Sequence, residues 1–394
     1  MHDSQGDRYL MNGRDLDEVI QITGALVGYR TFSQTGDRVE RRELRLAIDY
    51  IREILKPHDG VRVEVLEFPA GPVLVADVGP QDGRRVTLLG HLDVVPEDDQ
   101  ARCELLIRDG AAWGRGAADM KVAVAGTVHM LRVLAARDRA LARAGVAEEE
   151  RCAVRVILDG DEEQGGASFA QYVRQVGASS VGEFVIALEP TASKISLQCK
   201  GDLRVGYRVV GMEAHSSRPR EGIDAIRLDH AFKSVVYGMA LPPVDNPYYS
   251  DGVTLAFTTH KGGRAGNIIP ALAEGTIDVR YPAPLVEADI LTLIAAAAEQ
   301  CHVTLEVLVR NRAVTVSAEH PHVRALATAL GDPEPFIAQP GSCDLAHLPE
   351  KTPCGEYGLG SDHHTPCERV PVSHILRYNN SILGYTALVP GLPR

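Results

Sequence analysis

The sequence predicts an α/β protein built on a mixed sheet, with a smaller ferredoxin-like domain inserted into it. Three observations carry this prediction. Short apolar strands alternate with amphipathic helices through the first half of the chain, and several of those strands end in His, Asp or Glu. Near residue 195 the order of elements changes to βαββαβ. Helix and strand patterns then resume after 310, so the small domain is inserted and not appended. At 394 residues the chain exceeds one ordinary core. The expected division is a platform domain in two parts, 1–194 and 311–394, around an insert at 195–310.

The elements follow in order. Apolar residues recur at helical spacing through Leu16, Val19, Ile20, Thr23, Leu26 and Val27, and again through Leu44, Ala47, Tyr50, Ile51 and Leu55. Strands at 61–68, 73–78 and 86–89 are short apolar runs bounded by Gly, Pro and Asp. The third runs into Gly90-His91-Leu92-Asp93. Buried polar groups need partners, so this pair belongs at the strand's carboxyl end, where residues two apart point to one side. Asp93 can then reach one ring nitrogen of His91 and leave the other free for a metal. An ordinary surface turn remains the other reading of this stretch alone.

A glycine-broken loop, WGRGAADMK at 113–121, leads into an apolar helix at 122–136, and Asp119 taken by itself also reads as a helix cap. The charged, alanine-rich segment 137–151 reads as a solvated face. A strand at 152–158 discharges into Asp159-Gly160-Asp161-Glu162-Glu163. Three acids in a row are costly to gather unless a cation or a shared proton relieves their repulsion. Another strand, 184–188, ends at Glu189. Ligand-type residues after several strands fit the rule that open α/β sheets bind at the carboxyl ends of their strands.

The insert reads as a strand at 203–210, a helix at 222–239, strands at 252–259 and 273–281, a helix at 285–300 and a strand at 303–309. Beyond it lie a helix at 322–330, the segment Gly341-Ser342-Cys343-Asp344, and a glycine-rich loop carrying His363 and His364. Adjacent histidines in such a loop also read as plain exposed residues.

Composition removes several functions. A net charge of -12 disfavours binding to nucleic acid or to an anionic membrane. No run is apolar for long enough to cross a bilayer, and residues 1–8 lack the apolar core of a signal peptide. No strand leads into a GxGxxG or P-loop pattern, which argues against a nucleotide or flavin enzyme. The 7 cysteines have no CxxC spacing and read as reduced thiols of a cytoplasmic protein.

His91, Asp119, Glu163, Glu189 and His364 together offer nitrogen and carboxylate oxygen without sulfur. Such a set suits a zinc-type divalent ion, with cobalt or manganese able to replace zinc. Two histidines and three carboxylates are about right for two ions that share a bridging carboxylate, roughly 3.5–4 Å apart.

The blocks GHLDVVP, WGRGAADMK, DGDEEQGG, LEPT, GMEAHSSRPREGIDAI, GNIIP and HHTPCERV, in this order, resemble the M20 metallopeptidases. That family includes acetylornithine deacetylase, succinyl-diaminopimelate desuccinylase, aminoacylase and glutamate carboxypeptidase. The resemblance covers nearly the whole chain and implies a zinc-peptidase catalytic domain with an inserted lid and dimerisation domain. It implies two divalent cations, most often zinc, bridged by Asp119, with His91 and Glu189 completing one ion and Glu163 and His364 the other. Glu162 matches the general base, and Asp93 the residue orienting the first histidine. His215 matches a histidine that reaches across a dimer to stabilise the tetrahedral intermediate. Asn267 and Arg280 match substrate-binding residues, Arg280 by forking onto a carboxylate, and Ser342 is counted with them.

The sequence departs from the family pattern at Val122-Ala123, where two glycines are usual, and at Cys367, which stands for an acid. Neither removes a ligand. The resemblance also implies a cis peptide between Asp119 and Met120. The expected function is a dinuclear amidohydrolase, a cytoplasmic homodimer acting on a small N-acyl amino acid or short peptide and not on nucleic acid or membrane. A carboxypeptidase or dipeptidase would use the same site. A non-catalytic metal-binding protein on this fold would be expected to have lost Glu162 or a ligand.

Overall fold

The computed structural model describes residues 10–33, 38–81, 83–177 and 180–393. The polar amino-terminal segment 1–8 therefore lies outside the described residues. The chain divides into two compact units, Met1–Leu197 with Thr315–Ala338 and Cys343–Arg394, and Gln198–Val314 with Gln339–Ser342. The return to the first unit comes at Thr315, later than the expected 311, and Ser342 goes with the second unit.

In chain order the helices and strands are α1 (Gly13–Gly28), α2 (Arg38–Leu55), β1 (Val61–Glu67), β2 (Pro72–Val78), β3 (Arg84–His91), β4 (Leu106–Arg108), β5 (Ala111–Trp113), α3 (Val122–Arg143), β6 (Cys152–Asp159), α4 (Ala167–Val176), β7 (Phe184–Ala187) and β8 (Ile195–Cys199). There follow β9 (Gly201–Val210), β10 (Ala214–His215), α5 (Ala225–Tyr237), β11 (Thr254–Gly262), β12 (Ile268–Ile269), β13 (Leu272–Tyr281), α6 (Glu287–Cys301) and β14 (Thr304–Asn311). The chain closes with β15 (Val314–Thr315), α7 (Pro321–Leu330), β16 (Phe336–Gln339), β17 (Cys354–Tyr357), β18 (Arg369–Pro371) and α8 (Val372–Leu388).

The large sheet has the order β1-β2-β6-β3-β7-β17-β8-β15, with β16 on β8. It is mixed: β6, β3, β7 and β17 run parallel to one another, whereas β2 joins β6 and β17 joins β8 antiparallel. Parallel strands need cover on both faces, and β6, β3 and β7 read accordingly as continuous Val, Ile and Leu runs. The helix α3 supplies cover through an entirely buried first stretch, Val122 to Leu131, and shares one core with residues of α1, α2, α7 and α8. A helix apolar on all sides belongs in such an interior.

Two expectations change in this unit. The glycine-rich stretch near 355 contains the buried strand β17. A glycine fits there because a Cβ on Gly355 would come within 3.2 Å of the Ser196 carbonyl oxygen on the neighbouring strand. The segment after residue 136 continues α3 to Arg143 and is not wholly a solvated face. Arg137 donates to Leu383 and Thr386, and Arg151 is buried against Asp138.

The second unit has a four-stranded antiparallel sheet ordered β11-β13-β9-β14 with α5 and α6 packed on it. Taken as strands 1 to 4 in chain order, that is 2-3-1-4, the ferredoxin-like arrangement. Alternation builds its core. Leu203, Val205, Tyr207 and Val209 of β9 meet Phe232 and Val236 of α5 and Ile290 and Ile294 of α6.

Two predictions follow from the first unit. Gly166 has φ +64°, and a Cβ there would fall 1.7 Å from an oxygen of Asp344. Left-handed backbone alone costs an alanine about 1–2 kcal/mol, and the overlap adds to it. Gly166→Ala should therefore lower the thermal midpoint by several degrees in a calorimetric scan.

His322 stacks on Phe184 and shares a hydrogen bond of 2.7 Å with Tyr385. Burial, with His320 and Arg84 nearby, pulls its pKa from 6.5 down to about 4. The unfolded chain then binds the proton that the folded chain refuses, so this contribution is full above pH 6.5 and is lost as pH falls towards 4. His322→Gln should flatten the acid limb of stability against pH, measured by urea unfolding, and an unchanged slope would refute the assignment.

Candidate metal centre

The four parallel strands β6, β3, β7 and β17 are neighbours and end at one edge of the sheet. The residues just past those ends are Glu162 and Glu163 after β6, His91 and Asp93 at β3, Glu189 after β7 and His364 in the loop after β17. Asp119 comes from the turn in front of α3, where the backbone leaves helical geometry at Asp119 and Met120 and the peptide between them is cis.

Two donor groups result. His91, Asp119 and Glu189 bring ligand atoms within 4.8 Å of one another, and Asp119, Glu163 and His364 do the same. Asp119 belongs to both and divides its oxygens. Oδ1 lies 2.9 Å from His91 Nε2, while Oδ2 lies 3.3 Å from His364 Nε2, which also sits 3.0 Å from Glu163. Of the adjacent histidines, His364 is the one in the cluster. Its positive φ of 60° marks an uncommon backbone turn for a residue other than glycine.

His91 and Asp93 differ in detail from the expected pair. The Nδ1 of His91 is 2.9 Å from the Asp93 main-chain carbonyl and 3.3 Å from its carboxylate. The carboxylate instead accepts the main-chain N–H groups of Glu162 and Glu163, at 3.2 and 3.1 Å. One buried residue therefore fixes both the first histidine and the turn carrying the two glutamates. Asp161 secures the same turn from the other side by accepting from the Ser168 N–H and hydroxyl.

The electrostatics show what this packing costs. Burial drives the Glu162 carboxyl well above its usual range, opposed by His91 and reinforced by Asp344 and Glu163. Burial does the same to Glu189, helped by Glu162 and Asp119. Burial also disfavours charge on His91, but its contacts with Asp119 and Asp93 more than offset this and raise its pKa. His364 is pushed up to about 10 by Asp119 and Glu163. Asp119 is held well below the carboxylate range because His364 and His91 outweigh its burial. Burial favours protons on Glu162 and Glu189, and neighbouring carboxylates favour them on His91 and His364, so the cluster is one in which cationic charge is called for. All donors are nitrogen or oxygen, so the residues fit two borderline divalent ions.

Behind Asp119 lies a network that the sequence reading did not assign. Glu368, from the HHTPCERV block, accepts from the main-chain N–H groups of Ala118 and Asp119 and pairs with Arg115. Burial pushes Glu368 up to about 7 against the pull of Arg115. Lys121 is also buried, donates to the Tyr29 carbonyl at 2.9 Å and is drawn down to about 7 by burial. Membership of the quoted blocks was the only signal in the sequence for these residues. Cys367 is exposed.

The remaining candidates belong to the second unit. His215 is exposed on β10, pairs with Ile268 of β12 and bonds to Ser217 through Nδ1 at 2.8 Å. Asn267 is brought beside it, accepting from the Ser216 N–H. The Ser342 hydroxyl is buried with no hydrogen-bond partner among the described residues. Arg280 has its guanidinium forked onto Asp278 at 2.9 and 3.0 Å, with Asp202 at 3.3 Å. The fork expected for a substrate carboxylate is thus engaged within the protein.

Among the described residues no helix is long and apolar enough to cross a membrane. The model for peptidase family M20/M25/M40 matches residues 87–385. Succinyl-diaminopimelate desuccinylase of Gluconacetobacter diazotrophicus is 25% identical over 343 residues, covering 80% of this chain and 86% of that protein. An M20 family metallo-carboxypeptidase, Sso-CP2 from Sulfolobus solfataricus, superposes with a TM-score of 0.76 at 16% identity, covering 97% of this chain and 100% of the other. The Bacillus subtilis protein YXEP, described as a dinuclear metal binding peptidase from the M20 family, gives 0.66 at 17% identity over 97% and 99% of the two chains. The chain belongs to peptidase family M20/M25/M40 and is a metallohydrolase of that family acting on a C–N amide bond.

Proposed function

We propose that the protein is a dinuclear metal-dependent amidohydrolase that cleaves an N-acyl amino acid or a similar small amide bearing a carboxylate. The observation that carries this reading is the pair of donor groups sharing Asp119, one oxygen turned to each, with Glu162 beside the ligand Glu163. Two divalent cations held by these residues would supply Lewis acidity, lowering the pKa of a bound water and polarising a carbonyl oxygen.

The chain's own residues do the rest. His91, Asp119, Glu163, Glu189 and His364 hold position as ligands. Glu162 takes the proton of the attacking water and delivers it to the departing amine. Burial raises its carboxyl above the ordinary range, the direction that favours a group that must accept a proton. Asp93 keeps Glu162 and Glu163 facing the centre by gripping their amides. His215 supplies a donor to the developing oxyanion, from the partner subunit of a homodimer formed through the second unit.

An exposed apolar patch supports that dimer: Val210 lies opposite Leu272, and Met212 opposite Ile223, all accessible. Asn267, Arg280 and Ser342 complete the substrate contacts, and Arg280 exchanges Asp278 for the substrate carboxylate. A cytoplasmic setting agrees with seven cysteines that form no disulfide among the described residues. The name of the curated relative favours an N-succinyl substrate, and that of the solved carboxypeptidase a peptide.

Zinc-loaded protein should be assayed against N-succinyl and N-acetyl amino acids and against dipeptides, with wild type and Glu162→Gln. At least one acyl amino acid should turn over. Glu162→Gln should lose roughly 10²–10⁴-fold in kcat while retaining its metal by elemental analysis. Turnover of dipeptides alone would replace the deacylase with a peptidase. No turnover by metal-replete wild type across all three classes would sink the hydrolase reading.

A further inference from the structure

We propose that Glu368, locked by Arg115 and Glu97, is the positioning residue for Asp119 and so sets the metal affinity of a centre it does not touch. The proposal rests on the reading of Asp119 as the shared ligand.

Asp119 has to present its two oxygens in opposite directions, which fixes its backbone as well as its side chain. Within the turn Ala117–Lys121, the main-chain N–H groups of Ala118 and Asp119 both point at one oxygen of Glu368, at 3.1 and 3.3 Å. The other oxygen of Glu368 bonds to Arg115 Nη1, and Arg115 Nη2 donates to Glu97 at 3.1 Å. Glu97 is held in turn by Arg102. Arg115, Glu368 and Glu97 are all nine-tenths or more buried by side chain.

Such an arrangement is poor economy for stability alone. A buried ion pair is often no better than apolar residues of the same volume, because desolvation cancels much of the attraction. What it supplies is direction. A carboxylate accepting two adjacent amides leaves one orientation for the peptide that carries Asp119. Glycines let the surrounding chain close on it. A Cβ on Gly116 would meet Val94 at 2.5 Å, and one on Gly360 would meet the Ala118 methyl at 2.5 Å.

The neighbourhood also contains its own reporter. Trp113 is the only tryptophan. It pairs with Arg369, the residue after Glu368, across β5 and β18, and the guanidinium groups of Arg108 and Arg369 lie over its ring at 4.9 and 4.8 Å. A substitution that collapsed this small sheet would change tryptophan emission. One that only releases the Asp119 peptide would not.

The test measures Zn²⁺ affinity of the full chain, stripped with a chelator and titrated against a chromophoric competitor. Wild type is compared with Glu368→Ala, Glu368→Gln, Glu97→Gln and Asp119→Ala, with thermal midpoint in chelator and Trp113 emission recorded for each. Glu368→Ala should bind Zn²⁺ about 10–100-fold more weakly, the range seen when an orienting partner of a ligand is removed, with emission unchanged. Glu368→Gln should recover part of the loss, since its carbonyl still accepts the two amides. Glu97→Gln should have the smallest effect.

Wild-type affinity in Glu368→Ala, alongside a large loss in Asp119→Ala, would overturn the positioning role and leave the ligand assignment standing. Wild-type affinity in Asp119→Ala would overturn both. If Glu368→Ala does not fold, Glu368→Gln decides, because unchanged affinity there also overturns the proposal. A fall in affinity matched by an equal loss of metal-free stability and a shifted Trp113 emission would mean that Glu368 is merely structural.

Discussion

The architecture turns on one buried carboxylate that faces two imidazoles. Asp119 is almost inaccessible, yet it is kept charged by His91 on one oxygen and by His364 on the other. Everything around it either brings those imidazoles to it or tolerates the cost. The parallel set β6, β3, β7 and β17 aligns four strand ends, so residues far apart in sequence converge at one edge without long loops of their own. The wholly apolar start of α3 then lets the turn bearing Asp119 sink to the level of those ends.

Convergence of that kind has an electrostatic cost, which the main chain helps to meet. Asp93 accepts two amides from the Glu162–Glu163 turn, Asp161 accepts from Ser168, and Glu368 accepts two amides from the Asp119 turn. Asp93 and Glu368 thereby hold the turns that bear the candidate ligands Glu163 and Asp119, and Asp161 ties its own turn to the start of α4. Hydrogen bonds to charged acceptors are about twice as strong as neutral ones. Groups that would otherwise repel are thus held a few ångströms apart. Deeper still, Asp159 and Asp344 lie together beneath the turn, and burial and their mutual repulsion raise the Asp159 carboxyl well above its ordinary range. The region is one where stability yields to placement.

Much of this was legible in the sequence, and the reason is periodicity. The strands leading to His91, Glu162 and Glu189 are short apolar runs, and a polar residue at their end breaks a pattern that physics otherwise enforces. The inserted unit was legible for the same reason, since its two faces differ and its strands alternate. The strand Cys354–Tyr357 was not, because Gly355 and Glu356 carry poor strand propensity, and it is the close approach of the neighbouring backbone that accounts for Gly355. Arg137 and Arg151 read as solvent-facing because a charge in a run of charges normally is, and only the fold brings Leu383 and Asp138 to them. Arg280 was read as free for a ligand; Asp278, two residues before it on the same strand face, already claims it. Partners that close through the fold leave no mark on spacing, and Glu368 is such a case, separated from Asp119 by 249 positions.

Asp119 is proposed to lie between two cations. The most direct test is a crystal structure of the zinc-loaded protein with anomalous differences collected on both sides of the zinc absorption edge. Two peaks are expected roughly 3.5–4 Å apart, one contacted by His91 and Glu189, the other by Glu163 and His364, with an Asp119 oxygen on each. A single peak, or a pair that leaves Asp119 uncoordinated, would contradict that placement.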